Sequence, residues 1–142
     1  SEMCIRDRDS AYFREVLSTL GMGLEDRMKT KIGLLSGGQR QAASLLMATI
    51  AEPELLLLDE HTAALDPGAA EKVMALTKKI VEENKITTLM ITHDMEYALE
   101  YGSRTIMLDS GKIVMDLTGK EREEMTTGKL AELFYGKAHK RG

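Results

Sequence analysis

The chain has 142 residues, 43% of them hydrophobic and 30% charged, with a formal net charge of −4 at pH 7. This length predicts one domain or part of a larger one, and the acidic balance argues against non-specific nucleic-acid binding. The single cysteine, Cys4, excludes a disulfide within the chain. No apolar run reaches the roughly 18 residues of a membrane span, and the charges from Arg6 to Asp9 interrupt any signal peptide. We therefore expect a soluble, cytoplasmic protein.

The first 20 residues divide into two parts. Residues 1–8 show no periodic pattern and are interpreted as an unpatterned lead, whose native origin is left open. From Asp9 to Leu20 the apolar residues recur at helical spacing, and Gly21 predicts the end of that helix. A short helix or turn is expected over Gly23–Lys31.

A capping-box pattern marks the next helix, in the segment Leu35-Ser36-Gly37-Gly38-Gln39. Ser36 followed three residues later by Gln39 predicts a helix that starts here and ends before Pro53. The two glycines leave backbone N–H groups open at the positive end of the helix dipole, which suits a phosphate. A flexible capped turn is the alternative for this segment taken alone.

Four consecutive leucines, Leu55–Leu58, predict a short strand that is buried on both faces and is followed by Asp59 and Glu60. Adjacent acids at the end of such a strand are unfavourable unless a metal, a proton or a ligand offsets their desolvation. The crevice beyond the carboxyl ends of parallel strands is where open α/β sheets bind ligands. The segment is therefore a candidate magnesium–nucleotide site; the alternative is a helix N-cap beside a solvated acid.

The rest of the chain alternates strands and helices. Asp66 and Pro67 predict the N-cap and first turn of a helix that runs to about Asn84, and His93 follows the next buried strand. The remaining predicted elements are the strand Thr87–Thr92, a short helix Met95–Tyr101, a strand Arg104–Leu108, an antiparallel return Ile113–Leu117 after a tight turn, a helix Thr127–Phe134 and a frayed basic tail at 137–142. This order predicts an α/β fold with three parallel strands, of which Arg104–Leu108 is the third, and a C-terminal β-hairpin.

Taken together, these segments resemble the ATP-binding subunit of ABC transporters over roughly residues 10–136. Leu35–Gln39 is similar to the signature motif, and Leu55–Glu60 to the Walker B strand with its catalytic glutamate. Ala64–Asp66 is similar to the D-loop, and His93 to the switch histidine. His61 occupies a position where proline is common in the family, and we interpret it as a loop residue packed near the site.

The resemblance implies a partial P-loop NTPase (RecA-like) core preceded by part of the ABC helical subdomain. Residues 9–51 would belong to the helical subdomain and residues 52–142 to the C-terminal half of the ATPase core. The chain contains no Gly-x-x-x-x-Gly-Lys-Ser/Thr loop. We therefore expect a C-terminal fragment of an ATPase that is inactive by itself.

The resemblance also implies ATP and Mg²⁺ as ligands. Asp59 would hold Mg²⁺, usually through water, as a hard oxygen ligand. Glu60 would polarise the attacking water, and His93 would contact the γ-phosphate and help to position that water.

In this family the site is shared between two subunits, which implies a second ATP-binding subunit as partner and a homodimer as its simplest form. The signature segment, Ser36, Gly37, Gly38 and Gln39, would clamp the γ-phosphate of ATP bound to the opposite subunit. Asp66 would communicate between the two sites.

The other implied partners are a transmembrane permease and an extracytoplasmic substrate-binding protein, with no nucleic acid. They would place the subunit at the cytoplasmic, inner face of the cell membrane. Two alternatives stay open: a non-transport ABC-type ATPase of DNA repair, chromosome organisation or translation, and a non-catalytic docking fragment.

Overall fold

The computed structural model describes residues 2–50 and 52–138, with side chains from 10 to 136 apart from residue 51. Ser1 and most of the predicted basic tail, residues 139–142, lie outside the described residues. The elements in chain order are α1 (Glu2–Ser18), a 3-10 turn (Ile32–Leu34), α2 (Gly37–Thr49), β1 (Leu55–Asp59), α3 (Pro67–Asn84), β2 (Thr87–Ile91), α4 (Met95–Glu100), β3 (Arg104–Asp109), β4 (Lys112–Thr118), α5 (Gly119–Glu123) and α6 (Thr127–Ala138).

Both ends of the chain are more helical than the sequence predicts. α1 begins at Glu2 and so includes most of the lead that shows no pattern. That lead is rich in charged residues, and arginine and glutamate are good helix formers even without an apolar face. At the other end, α6 continues four residues beyond the predicted end at Phe134. Among the described residues, no helix is both long enough and apolar enough to cross a bilayer.

The chain forms two compact units, Ser1–Met90 and Ile91–Gly142. In the first unit, one face of β1 packs against α2 and α3. Leu56 and Leu58 lie in a core with apolar side chains from both helices: Ala42, Leu45, Val73, Leu76 and Ile80. This core fixes the position of the residues that follow β1.

The prediction that β1 is buried on both faces is wrong. Leu56 and Leu58 are buried, but Leu55 is 54% exposed and Leu57 is 65% exposed. Successive side chains of a strand point to opposite faces, and in this unit helices cover only one face of β1. A run of leucines therefore predicted the strand correctly but could not show how many of its faces are covered.

Within residues 2–50 and 52–138, the strands form two pairs, one parallel and one antiparallel. β1 pairs with β2, and β3 pairs with β4. The predicted third parallel strand is therefore wrong, because β3 belongs to a hairpin sheet of two strands. The hairpin turn itself is confirmed: Asp109 pairs with Lys112, and Ser110 and Gly111 between them have φ of +51° and +75°. Two positive φ values in a two-residue loop match the right-handed twist of the strands, which favours local pairing.

Candidate functional site

The two acids of the predicted nucleotide site lie at the carboxyl end of β1. Asp59 is the last residue of the strand, Glu60 follows it, and both are exposed. Glu60 has a φ of +43°, in the left-handed region that non-glycine residues seldom occupy. Such a conformation persists only where the surroundings hold the backbone in place. The strand end therefore presents two carboxylates on a constrained turn.

Asp59 and Glu60 supply only part of a metal shell. Among the described residues, no group of three or more His, Cys, Asp or Glu side chains could hold a metal ion. Magnesium is usually held by one or two protein carboxylates, with phosphate oxygens and water filling its octahedron. A single exposed aspartate at the end of β1 fits that pattern, and it does not fit a metal cage made by the protein alone.

The predicted capping box is confirmed at the start of α2. Ser36 is the N-cap: its Oγ accepts from the backbone N–H of Gln39 at 3.2 Å, and its own N–H donates to Oε1 of Gln39 at 3.0 Å. The remaining amide group of Gln39 donates to the carbonyl oxygen of Met22 at 2.7 Å. Gln39 is therefore engaged at both ends of its amide, and it ties the first turn of α2 to the preceding loop.

The two glycines of this turn are also close to the start of α3. A β-carbon at Gly38 would lie 2.9 Å from Cβ of Ala69, and one at Gly37 would lie 3.2 Å from Cδ2 of Leu65. Gly38 is buried and Gly37 is half-buried. The sequence predicted glycines that expose backbone N–H groups; the structure adds that at Gly38 a side chain has no room.

Asp66 is the N-cap of α3, as predicted. Its Oδ1 accepts from the backbone N–H of Ala69 at 3.0 Å, and Pro67 occupies the first turn. Because Gly38 packs on Ala69, the N-termini of α2 and α3 lie next to each other in the first unit. The structure thus brings together the signature-like turn and the D-loop-like residue.

His61 is hydrogen-bonded to two helices, which the sequence did not indicate. The side chain is half-buried, and its Nε2 lies 3.2 Å from Oγ1 of Thr77 in α3. Its carbonyl oxygen accepts a short hydrogen bond from Nε2 of Gln41 in α2. These partners are 16 and 20 residues away along the chain, so no local pattern could have predicted Gln41 and Thr77 as part of the site.

His93 belongs to the second unit, between β2 and α4. It is exposed and follows Thr92, whose Oγ1 accepts from the N–H of Asp94 at 3.0 Å. Asp94 in turn caps α4, with Oδ1 accepting from the N–H groups of Glu96 and Tyr97 at 2.9 and 3.1 Å. Hydrogen bonds of the neighbouring residues therefore define the turn that carries His93.

Comparison with known proteins agrees with these motifs. The sequence model of the ABC transporter family matches residues 3–63. A tyrosine transport ATP-binding protein of Clostridioides difficile is 46% identical over 131 residues, which are 92% of this chain and 52% of that protein. A phosphonates import ATP-binding protein of Halalkalibacterium halodurans is 38% identical over 109 residues, 77% of this chain and 45% of that protein.

A third relative, a methionine import ATP-binding protein of Oceanobacillus iheyensis, is 40% identical over 93 residues, covering 66% of this chain and 28% of that protein. The chain spans about half the length of the first two relatives, at 52% and 45%. The chain belongs to the ABC transporter family and covers part of its ATP-binding protein.

Proposed function

We propose that the chain is part of the ATP-binding subunit of an ABC importer, which binds and hydrolyses Mg-ATP and drives transport through separate membrane subunits. The observation that carries this proposal is the arrangement of the first unit. There the acids at the end of β1, the capped turn of α2 and the N-cap of α3 belong to elements that pack around one core. The names of the relatives, which refer to tyrosine, phosphonate and methionine transport, support an importer.

Each acid has a role in ATP chemistry under this proposal. Asp59 would hold Mg²⁺, and the bound metal would supply positive charge to the phosphates. Glu60 accepts a proton from the attacking water, and the constrained turn after β1 aims its carboxylate. His93 contacts the γ-phosphate. In the whole subunit, the described elements would form part of a P-loop NTPase core of the RecA type.

The start of α2 acts in trans in the proposed dimer. The backbone N–H groups of Gly37 and Gly38 lie at the positive end of the helix dipole and, together with the Ser36 hydroxyl, bind the γ-phosphate of ATP on the second subunit. Gln39 contributes by holding this turn through its bonds to Ser36 and Met22. Asp66, at the adjacent N-terminus of α3, relays the state of one site to the other.

The proposed partners follow from this role. A second ATP-binding subunit completes each site, a transmembrane permease carries the cargo, and an extracytoplasmic substrate-binding protein delivers it. The subunit would therefore act at the cytoplasmic face of the cell membrane. An amino-acid-type cargo is supported by the 46% identity to the tyrosine transport protein.

The trans clamp is tested by Gly37→Asp in the whole subunit. A carboxylate at this position meets the γ-phosphate of the opposite subunit, so dimerisation driven by a slowly hydrolysed Mg-ATP analogue should fail, while nucleotide binding to each monomer survives. Gly33→Asp is the matched control, because a β-carbon there has no heavy atom within 4 Å. Sedimentation velocity measures the nucleotide-dependent dimerisation of the two variants. Normal nucleotide-dependent dimers of Gly37→Asp would contradict the clamp.

A further inference from the structure

His61 directly follows the acids of β1, and its side chain turns toward α3. Its Nε2 lies 3.2 Å from Oγ1 of Thr77, which is 5% exposed in the middle of that helix. The Thr77 hydroxyl also lies 2.8 Å from the carbonyl oxygen of Val73, to which it donates its only hydrogen. Oγ1 can then only accept from His61. The proton of the imidazole is therefore on Nε2.

The other ring nitrogen agrees with this assignment. Nδ1 of His61 is buried and has no hydrogen-bond partner among the described residues. A proton on Nδ1 would have no acceptor, and Nε2 would then face the Thr77 oxygen with no hydrogen between them, so both ring nitrogens would lack a partner instead of one. The ring is thus a fixed Nε2–H donor to α3.

The main chain of His61 is held separately by α2. Gln41 donates its Nε2–H to the His61 carbonyl oxygen, and α2 itself packs against α3. One residue is therefore attached through its backbone to the helix that begins with Ser36–Gln39, and through its side chain to the helix capped by Asp66. His61 directly follows Glu60, whose backbone is in the left-handed region and stays there only where neighbouring contacts hold it.

We propose that His61 is a positioning residue for hydrolysis: its bonds to Thr77 and Gln41 fix the backbone after Glu60 and so aim the Glu60 carboxylate. This inference rests on the proposed function, because only there does Glu60 act on water. Through the same two bonds, the orientation of the Glu60 carboxylate depends on α2, the helix whose start meets the opposite subunit.

The test compares two amide side chains in the whole subunit. His61→Gln places an N–H at about the reach of Nε2 and keeps the donor to Thr77, whereas His61→Asn reaches only as far as Nδ1 and loses it. We expect His61→Asn to lower kcat about 10-fold, because small misplacements of a catalytic group are expensive, while KM for ATP changes less than about two-fold. His61→Gln should stay within about three-fold of the parent kcat.

Thr77 gives the second arm. Thr77→Val removes the hydroxyl at nearly constant shape and should reproduce the His61→Asn loss, while Thr77→Ser keeps the hydroxyl and should not. The double variant His61→Asn with Thr77→Val should be no worse than either single one, because both remove the same bond. In the ¹⁵N-histidine spectrum of the subunit, His61 should show the neutral Nε2–H tautomer.

The outcomes separate this inference from the proposed function. A parent subunit that hydrolyses ATP, with His61→Asn at the parent kcat, overturns the inference alone. The inference is also overturned if the folded His61→Gln variant loses as much kcat as His61→Asn. It is overturned as well if the loss of kcat in His61→Asn follows a fall in Tm. An Nδ1–H tautomer also overturns it. If the parent subunit neither binds nor hydrolyses ATP, the proposed function itself is contradicted, and the inference that rests on it falls with it.

Discussion

Gly38 and Ala69 touch so closely that residue 38 cannot carry a side chain without movement of its neighbours. A β-carbon there would lie 2.9 Å from Cβ of Ala69 and 3.0 Å from Cε of Met22. The methionine end can move aside, but the alanine β-carbon is fixed to the first turn of α3. This contact sets the spacing between the starts of α2 and α3, and so between the signature-like turn and Asp66.

Gly38→Ala should therefore destabilise the chain. Overpacking of a tight contact costs about 1–3 kcal/mol, which outweighs a helix-propensity gain of at most about 1 kcal/mol. Gly33→Ala is the control, since its β-carbon meets nothing within 4 Å. Urea unfolding of both variants measures the difference. Equal urea midpoints for Gly38→Ala and the parent chain would show that the starts of α2 and α3 can move apart without loss of stability.

Arg104 and Asp116 form an ion pair across the hairpin, and it should be visible as a pH effect. Arg104 Nε and Nη2 donate to the two carboxylate oxygens of Asp116 at 2.8 and 2.6 Å. These hydrogen bonds hold the pKa of Asp116 below its ordinary value of 3.8. A depressed carboxyl pKa stabilises the folded state above the unfolded pKa, and this contribution disappears as the pH falls through the folded pKa.

NMR titration of the Asp116 carboxyl carbon tests the pair. Its midpoint should lie below 3.8 in the parent chain and return toward that value in Arg104→Gln. Because both side chains are exposed, the effect on stability should be small and should weaken with added salt. The same midpoint in the two chains would mean that the pair does not persist in solution.

The 142-residue chain alone should not bind nucleotide well. Direct contacts to the β- and γ-phosphates in this enzyme class come from the P-loop amides and lysine, and this sequence contains no such loop. We expect no ATPase activity above background and an ATP affinity no tighter than about millimolar, or about −4 kcal/mol. Isothermal titration with Mg-ATP measures this, with the whole subunit as the positive control. Micromolar binding by the chain alone would contradict the prediction.

Local patterns predicted the elements that local interactions define. The Ser36–Gln39 capping box, the Asp66 cap with Pro67 and the turn at Ser110–Gly111 all involve residues a few positions apart, and all are confirmed. The elements differ at their ends by a few residues: β2, for example, ends at Ile91 rather than Thr92.

Features that depend on distant partners were missed. The exposure of Leu55 and Leu57 depends on which faces other elements cover, and the pairing of β3 depends on its choice of neighbour. The bonds of His61 to Gln41 and Thr77 connect three separate elements. A residue's type and spacing predict its chemistry here, but its partners follow only from tertiary packing.

The turnover of Glu60→Gln in the whole subunit tests the central claim most directly. The amide keeps the shape of the side chain at the end of β1 but cannot accept a proton from water. ATP binding should stay near the parent affinity, ATP-bound dimers should accumulate, and hydrolysis should fall by a factor on the order of 10² or more, as for the loss of a general base. A Glu60→Gln subunit that hydrolyses ATP at the parent rate would contradict the account.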